Sequence, residues 1–475
     1  MPKRGPSIQN TNHNLQLTIV FPASLPRLRR PKSALRRELT ALTLPILVET
    51  LLIMTLGAVD TFMLSRHSDA SVAAVGFTNQ IINFVFIVFE VINLGTAVLC
   101  SQYLGAHMRD RMETVVGVAL VVNLISGLAI SACLYSFASP ILRTLGLDGE
   151  MLAEGSGYME IVGAFAFFQA IQLTFGAVLR SNNKAVYPML VVLVVNCLNI
   201  FGNYMLIFGE FGAPALGVRG AAISTSACRM LAMLALAIIT FRTTVRHFPL
   251  HIFRRWPRHE FRNLMKIGLP SAGEQMSYYC SQLVIAAVIA TLGMEALAAR
   301  TYCVNIIMYV YMFSIAISHA GAICIGHLVG AGRKEGAYIM GRYVMRIALV
   351  WTLVFSVCIA LSGHAIMSSL TSDETIISLG VAILWVDVVL EIGRPVNILF
   401  VNTLQAAGDV NYPFYVGLVW MWSVAVVGAY VLGIPLGFGI LGMWWMFALD
   451  ENIRAIVFIR RWNSRKWQRK SFTAG

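Results

Sequence analysis

Residues 44–60, LPILVETLLIMTLGAVD, form an apolar run that is long enough to cross a lipid bilayer but carries ionisable side chains. Pro45 and Glu49 recur 225 residues later as Pro270 and Glu274, in the segment LPSAGE. A proline inside an apolar helix leaves a backbone carbonyl of the preceding turn without its donor. The stretch therefore predicts a membrane helix that the chain contains twice.

The duplication extends far beyond this helix. The same ungapped offset holds from the pair Leu39 and Leu264 to the pair Arg229 and Arg454. A helix needs about 20 apolar residues to cross roughly 30 Å of hydrocarbon. Such runs recur six times in each half, at 39–64, 75–101, 114–138, 155–179, 186–209, 216–241, 264–290, 300–327, 338–361, 377–403, 412–434 and 439–460. Six spans per half give both halves one orientation. The sequence therefore predicts an all-α integral membrane protein of twelve transmembrane helices, built as two parallel six-helix repeats with pseudo-twofold symmetry along the membrane normal.

The composition excludes a soluble globule. Of 475 residues, 57% are hydrophobic and 12% are charged, and the mean hydropathy is +0.72, which leaves too little polar surface to cover a protein of this size. The eight cysteines lie inside predicted spans without a CxxC motif. We expect them to be apolar packing residues, with no disulfide framework and no metal site.

The loop charges predict the topology. Lys and Arg concentrate in alternate loops on the side of the N-terminus, whereas the other side has Arg66, Arg143 and Arg219. By the positive-inside rule, both termini are expected in the cytoplasm of a multi-pass protein of the plasma (inner) membrane. This bias explains the net charge of +13 without a nucleic-acid partner. The expected parts are a basic cytoplasmic tail at 1–38, lobes at 39–241 and 264–461, a cytoplasmic basic linker at 242–263 and a basic cytoplasmic tail at 462–475.

Several segments resemble the signatures of one transporter family. LPILVETLLIMTLGAVDTFMLS (44–65), SQYLGAHMRD (101–110), GHLVGAGRKEGA (326–337) and LQAAGD (404–409) are similar to repeated motifs of the multidrug and toxic compound extrusion (MATE) family, bacterial type. The likeness covers about 39–460. It implies two six-helix bundles around a central cleft, which opens alternately to each side while a cation is exchanged for a drug-like solute.

The resemblance also implies a cation-coupling site in the first lobe. Asp60, in the motif GAVDT, matches the family's first-helix aspartate, and Asn199 and Asn203 match polar positions on the fifth helix. Taking a carboxylate out of water favours its neutral form, which suits reversible protonation. The alternative is an Asp that is merely solvated at a helix end.

Two positions depart from the sodium-coupled branch of the family. Where that branch has a Glu and an Asp, this sequence has Tyr279 and Arg394. Sodium needs several oxygen ligands at once, and an arginine repels a cation. The coupling ion is H⁺ or Na⁺, and we expect protons rather than sodium. No cofactor is expected.

Further ionisable groups inside the spans are candidates for the substrate cleft, because charges in hydrocarbon usually face a cavity or a partner. Glu49 and Glu274 form a repeat-related pair that either faces the cleft or pairs locally in its own bundle. Asp387, Glu391 and Arg394 are spaced i, i+4, i+7 on one face of the tenth helix. We expect Glu391 and Arg394 to neutralise each other and leave Asp387 available. Tyr279 is assigned to the same cleft.

The acidic balance favours cationic or amphiphilic small molecules as substrates, held by charge and cation–π attraction. We expect a monomer whose other partners are the coupling cation and the lipid bilayer. Arg229 and Arg454 are expected to make inter-helix ion pairs or to snorkel.

Two other functions stay open as alternatives. A lipid-linked precursor flippase of the same wider superfamily would need a cationic cleft and usually has two further helices. A membrane-embedded transferase or protease would need a catalytic or metal-binding set, for which His319 and His327 alone are weak candidates. The expected protein is therefore not an enzyme.

Overall fold

The computed structural model describes residues 32–245, 248–249 and 251–473, and every regular element in these ranges is helical. Nine of the described helices are long and apolar enough to cross a membrane, and a bent pair of helices adds a tenth. The predicted seventh and twelfth spans fall below this composition test because they are more polar. The twelfth carries Asp450, Glu451 and Arg454 in its middle.

The first lobe consists of seven helices that form six spans. They are α1 (Lys32–Ser65), α2 (Asp69–Gly105), α3 (Arg109–Thr144), α4 (Gly149–Ala164), α5 (Ala166–Ser181), α6 (Val186–Phe208) and α7 (Val218–Thr243). Helices α4 and α5 together make the fourth span, which bends by 49° at its break.

The second lobe follows after the short helix α8 (His251–Arg254). Its helices are α9 (Arg258–Ala290), α10 (Met294–Gly330), α11 (Lys334–Leu361), α12 (Gly363–Leu370), α13 (Glu374–Ala406), α14 (Asn411–Trp420), α15 (Ala429–Gly433) and α16 (Gly439–Asn463). A π-helix, Met421–Gly428, joins α14 to α15 within one span.

The helix bounds repeat with the offset that the sequence predicts. Adding 225 to both ends of α2 gives the ends of α10. The same shift carries α4 and α5 together onto α13, which runs without a break, and carries α6 onto the span from α14 to α15. The repeats therefore share one architecture but differ in where a helix is bent or interrupted.

Helices α1 and α9 are longer than the apolar runs that predicted them. They begin at Lys32 and Arg258, ahead of the expected Leu39 and Leu264. A helix of 34 residues is about 50 Å long, well beyond the hydrocarbon core. Basic side chains can continue such a helix into the interface because their stems are apolar and their charges reach water. The expected tail at 1–38 and linker at 242–263 thus include helical residues, and residues 1–31 lie outside the described part.

The lobes are joined at one end of the molecule. At the end where α1 and α9 begin, Leu39 and Leu42 of α1 pack in a core with the second lobe. There, Leu264 and Ile267 of α9 pack in a core with the first lobe. At the opposite end, each described core contains residues of one lobe only. We call these the joined end and the separated end.

Candidate functional site

Three side chains predicted as the coupling site lie together in the first lobe. Asn203 Nδ2 donates to Asp60 Oδ1 at 2.7 Å and to Asn199 Oδ1 at 3.1 Å. The two asparagines are four residues apart on α6, so they share one helix face, and each is only 1% exposed. Ser224 of α7 completes the cluster, since its hydroxyl donates to the Asn199 carbonyl at 3.2 Å.

This cluster has spare capacity to accept hydrogen bonds. Asn203 Oδ1 is buried without a partner among the described residues. A buried acceptor without a donor costs free energy, so it favours a ligand that supplies positive charge or a proton. The arrangement contains one carboxylate, which can gain and lose a single proton without a second acid.

Arg229 lies near this cluster but makes no ion pair with a described carboxylate. Its guanidinium instead stacks over the Phe86 ring, with Cζ 5.3 Å from the centroid, and one terminal nitrogen is buried without a hydrogen bond. The expectation of an ion pair is therefore wrong at this position. A cation–π contact compensates part of the desolvation of a buried guanidinium.

The repeat-related glutamates both find partners within their own lobe. Arg180 Nη1 lies 2.8 Å from Glu49 Oε1, and Gln405 Nε2 donates to Glu274 Oε2 at 3.3 Å. Arg180 and Gln405 are themselves 225 residues apart. The same contact is thus built twice, once with a cation and once with a neutral amide.

Arg394 lies between two acids of its own helix. It bonds to Glu391 and approaches Asp387 with 3.7 Å between nitrogen and oxygen, while its Cζ lies 5.1 Å above the Tyr311 ring. This distance is too long for a hydrogen bond, and Asp387 Oδ1 has no hydrogen-bond partner among the described residues, so the availability of Asp387 stays a prediction. The i, i+4, i+7 spacing allows the long guanidinium to face both carboxylates, so the three side chains form one network.

A second arginine network adjoins the first on α16. Arg454 contacts Asp450 at 2.5 Å and Glu451 at 2.9 Å. These ion pairs lie within one helix, contrary to the expected inter-helix pairs. Asn397 of α13 makes the inter-helix link, because its amide donates to the side chain and the carbonyl of Glu451. Together the two networks hold four carboxylates against two guanidinium groups.

The predicted cleft residues differ in exposure. Tyr279 is 49% exposed, with its ring centroid 6.0 Å from that of Tyr278. By contrast, Asp387 is 2% exposed and Glu391 is fully buried. The assignment of these three residues to a substrate cleft stays a prediction. A substrate could reach the buried Asp387 and Glu391 only if helices moved relative to this state.

Sequence reasoning missed the polar contacts that hold the joined end together. Gln102 Nε2 donates to the Ala406 carbonyl at 2.7 Å, and His327 Nε2 donates to the Ser181 carbonyl at 2.7 Å. Each bond connects the two lobes, and the 225-residue offset relates one bond to the other. The offset would have related these positions, but only the folded helices show that they meet.

Two glycines permit this close approach. A Cβ on Gly105 would lie 2.1 Å from the His327 carbonyl oxygen, and one on Gly330 would lie 1.9 Å from the Gln102 carbonyl oxygen. Both distances are far inside van der Waals contact. The repeated glycine therefore lets the ends of α2 and α10 cross with their backbones touching.

Twelve helical spans in two repeats, with ion pairs and single carboxylates enclosed at membrane depth, define a multi-pass membrane transporter. The MatE family model matches residues 45–205 and 270–431, one segment in each lobe. The chain therefore belongs to the MATE family, whose members are transporters and not enzymes. The predicted family and the twelve-helix, two-repeat fold are confirmed.

Individual relatives agree over nearly the full length. The chain is 38% identical over 433 residues to "Uncharacterized transporter YisQ" of Bacillus subtilis, which covers 91% of this chain and 95% of that protein. It is 25% identical over 456 residues to "Probable multidrug resistance protein NorM" of Thermotoga maritima, covering 95% and 97%. Among solved structures, "Crystal structure of MATE in the bent conformation" is similar with a TM-score of 0.84 at 21% identity, over 91% of this chain and 96% of that one.

Proposed function

We propose that this transporter is a secondary active antiporter, which exports cationic or amphiphilic small molecules in exchange for protons. It acts in the plasma membrane as a monomer with both termini in the cytoplasm. The name of the Thermotoga maritima relative, a probable multidrug resistance protein, supports drug-like substrates.

The observation that carries proton coupling is the single carboxylate of Asp60, held by the amide of Asn203 at 2.7 Å. The amide presents N–H groups to Asp60 and to Asn199, whereas sodium binds oxygen atoms. Sodium needs several oxygen ligands held at once, and the cluster supplies a single carboxylate. A proton requires no additional ligand.

The cores support alternating access. Both lobes pack together at the joined end and keep separate cores at the separated end. With cytoplasmic termini, this is the outward-facing state, and the inward-facing state forms when the contacts of the joined end open. Protonation of Asp60 removes the only carboxylate charge of its cluster, and this change drives the switch.

The charge balance of the second lobe supports cationic substrates. Four carboxylates share the arginines Arg394 and Arg454, so two formal negative charges remain in this part of the second lobe. A lipophilic cation entering from the membrane or the cytoplasm is attracted to this excess. A pyrophosphate-linked substrate would be repelled by it.

Transport in inverted vesicles tests the proposal. Ethidium uptake is measured first with an acidic lumen and no sodium, and then with a sodium gradient at equal pH on both sides. We expect uptake under the proton gradient alone. Uptake that requires sodium would contradict proton coupling, and uptake under neither gradient would contradict antiport.

A further inference from the structure

A cavity beside the joined end, distinct from the coupling site, is lined by cations. Its volume is about 450 Å³, within the range of small-molecule pockets. The residues that matter here are Arg109 at the start of α3, Lys184 in the loop before α6, and Arg242 in the last turn of α7. No carboxylate is among the lining residues that the structure describes.

These cations are not neutralised by described acids. Lys184 Nζ contacts the Thr243 carbonyl and lies 3.3 Å from Thr244 Oγ1. Neither Arg109 nor Arg242 forms an ion pair with a carboxylate of residues 36–245 or 252–473. Burial and the neighbouring Arg109 guanidinium lower the pKa of the Lys184 ammonium below its usual value. An anion placed among them would relieve this repulsion.

The second lobe shows that the fold does not require such a site. The loop before α14 turns as the loop before α6 does, because the Asp409 amide bonds to the Leu404 carbonyl at 2.9 Å and the Lys184 amide bonds to the Leu179 carbonyl at 3.0 Å. Asp409 therefore occupies the place that Lys184 has in the first lobe, and it pairs with Arg461 at 2.7 Å.

The region after the last helix differs as well. Beyond the end of α16, the second lobe has Trp467, which is fully buried and stacks on Trp462 with 4.3 Å between ring centroids. In the second repeat, Arg461 neutralises the loop residue Asp409, and the ring of Trp467 is part of the core. The first repeat has kept a cationic cavity instead.

We propose that this cavity binds a phosphate group, carried by an anionic phospholipid or by a soluble phosphate. Guanidinium groups bind phosphate oxygens with paired, charge-assisted hydrogen bonds, and the Thr244 hydroxyl can donate a further one. Apolar side chains of Met112 and Phe241 line the same cavity, so the acyl part of a lipid would also be accommodated. Under the proposed orientation, the cavity faces the cytoplasmic leaflet.

The test compares two double variants of the purified full chain. Arg109→Gln with Arg242→Gln removes both guanidinium groups of the cavity, which make no described ion pair. Arg254→Gln with Arg255→Gln removes the same charge from exposed positions beyond α7. Thermal unfolding checks that both fold, and Lys184→Gln is a second cavity variant if the first does not.

Binding is measured with two probes. Native mass spectrometry reports retention of phosphatidylglycerol over phosphatidylcholine of equal chain length, and thermal unfolding reports stabilisation by inorganic phosphate. We expect wild type and the Arg254/Arg255 variant to retain phosphatidylglycerol, and the cavity variant to bind it about tenfold more weakly.

Stabilisation by inorganic phosphate alone, lost in the cavity variant, would support the site with a soluble ligand. Equal binding by the two double variants, or no binding of either probe to wild type, would overturn the proposal. Because binding is measured without a gradient, the result is independent of antiport.

Discussion

Glu49 in the first lobe is paired with Arg180, whereas Glu274, its counterpart in the second lobe, accepts a hydrogen bond from Gln405. The four positions are related by one offset, so the backbones present the same contact. The two contacts differ in the charge of the partner, which is a guanidinium in the first lobe and a neutral amide in the second. The second lobe therefore keeps a carboxylate that its repeat-related partner does not neutralise. In the first lobe, Arg180 neutralises Glu49, and Asp60 is isolated in that it has no ion pair with a described cation.

The repeat-related arginines differ in the opposite direction. Arg229 stacks over Phe86 without an ion pair to a described acid, whereas Arg454 contacts Asp450 and Glu451. Charges in the second lobe are thus gathered in a network with an excess of acids, while Asp60 and Arg229 in the first lobe have no ion pair with a described residue. On this difference rests our proposal that the first lobe couples the ion and the second attracts cations.

The largest effect is expected at the isolated acid. Asp60→Asn should abolish proton-driven ethidium uptake, because an amide cannot take up and release the coupling proton. Folding should persist, since the new amide oxygen can still accept from Asn203. Uptake in vesicles is the measurement, and Asp69→Asn, at an exposed position at the start of α2, is the control. Wild-type uptake with unchanged pH dependence would make Asp60 a structural residue.

The second-lobe network should show the largest change in stability. Arg394→Gln leaves the buried Glu391 and Asp387 without their cation, and breaking a buried ion pair costs roughly 3 to 5 kcal/mol. The unfolding temperature in detergent should fall accordingly. Arg465→Gln, which removes an exposed pair with Glu335, is the matched control and should cost about 1 kcal/mol or less. Equal effects of both variants would show that the network is not a stabilising unit.

Exchanging the partners of Glu49 and Glu274 tests whether the charge of each partner accounts for the difference between the two lobes. Arg180→Gln gives the first lobe the arrangement of the second and should destabilise by about 1.5 to 3 kcal/mol, the usual value for a hydrogen bond to a charged group. Gln405→Arg gives Glu274 a cation. We expect it to lower ethidium uptake several-fold without loss of stability, since a lobe with less negative charge attracts cations less. Unchanged uptake would show that the charge of Glu274 does not contribute to attracting the substrate.

The offset of 225 residues predicted most of the fold, because a duplicated apolar pattern forces duplicated spans. The family resemblance selected Asp60, Asn199 and Asn203, which the structure brings into one hydrogen-bonded cluster. Spacing on one helix predicted that Arg394 meets Glu391. It did not predict the Arg180 contact with Glu49, since the two residues are distant in the sequence. Contacts between distant helices depend on packing, which periodicity does not specify.

The smallest effect is expected at the joined end, where the two lobes use Gln102 and His327 for the same bond. An imidazole and an amide can each donate one N–H to the carbonyl of the other lobe. His327 Nδ1 also lies 3.8 Å from Glu38 Oε1. A contact between such partly exposed groups is worth about 0.2 to 1 kcal/mol, so its loss should change the joined end little.

His327→Gln makes the two bonds alike and keeps a donor for the Ser181 carbonyl. Hydrogen–deuterium exchange at the ends of α2 and α10 is compared between wild type and the variant. We expect protection to fall by no more than about fivefold, the effect of about 1 kcal/mol, because the Ser181 carbonyl keeps its donor. His364→Gln, at an exposed position on α12, is the control and should behave as wild type. A much larger loss of protection in His327→Gln would show that the imidazole does more than donate one hydrogen bond, and that the two repeats differ there in function although they agree in geometry.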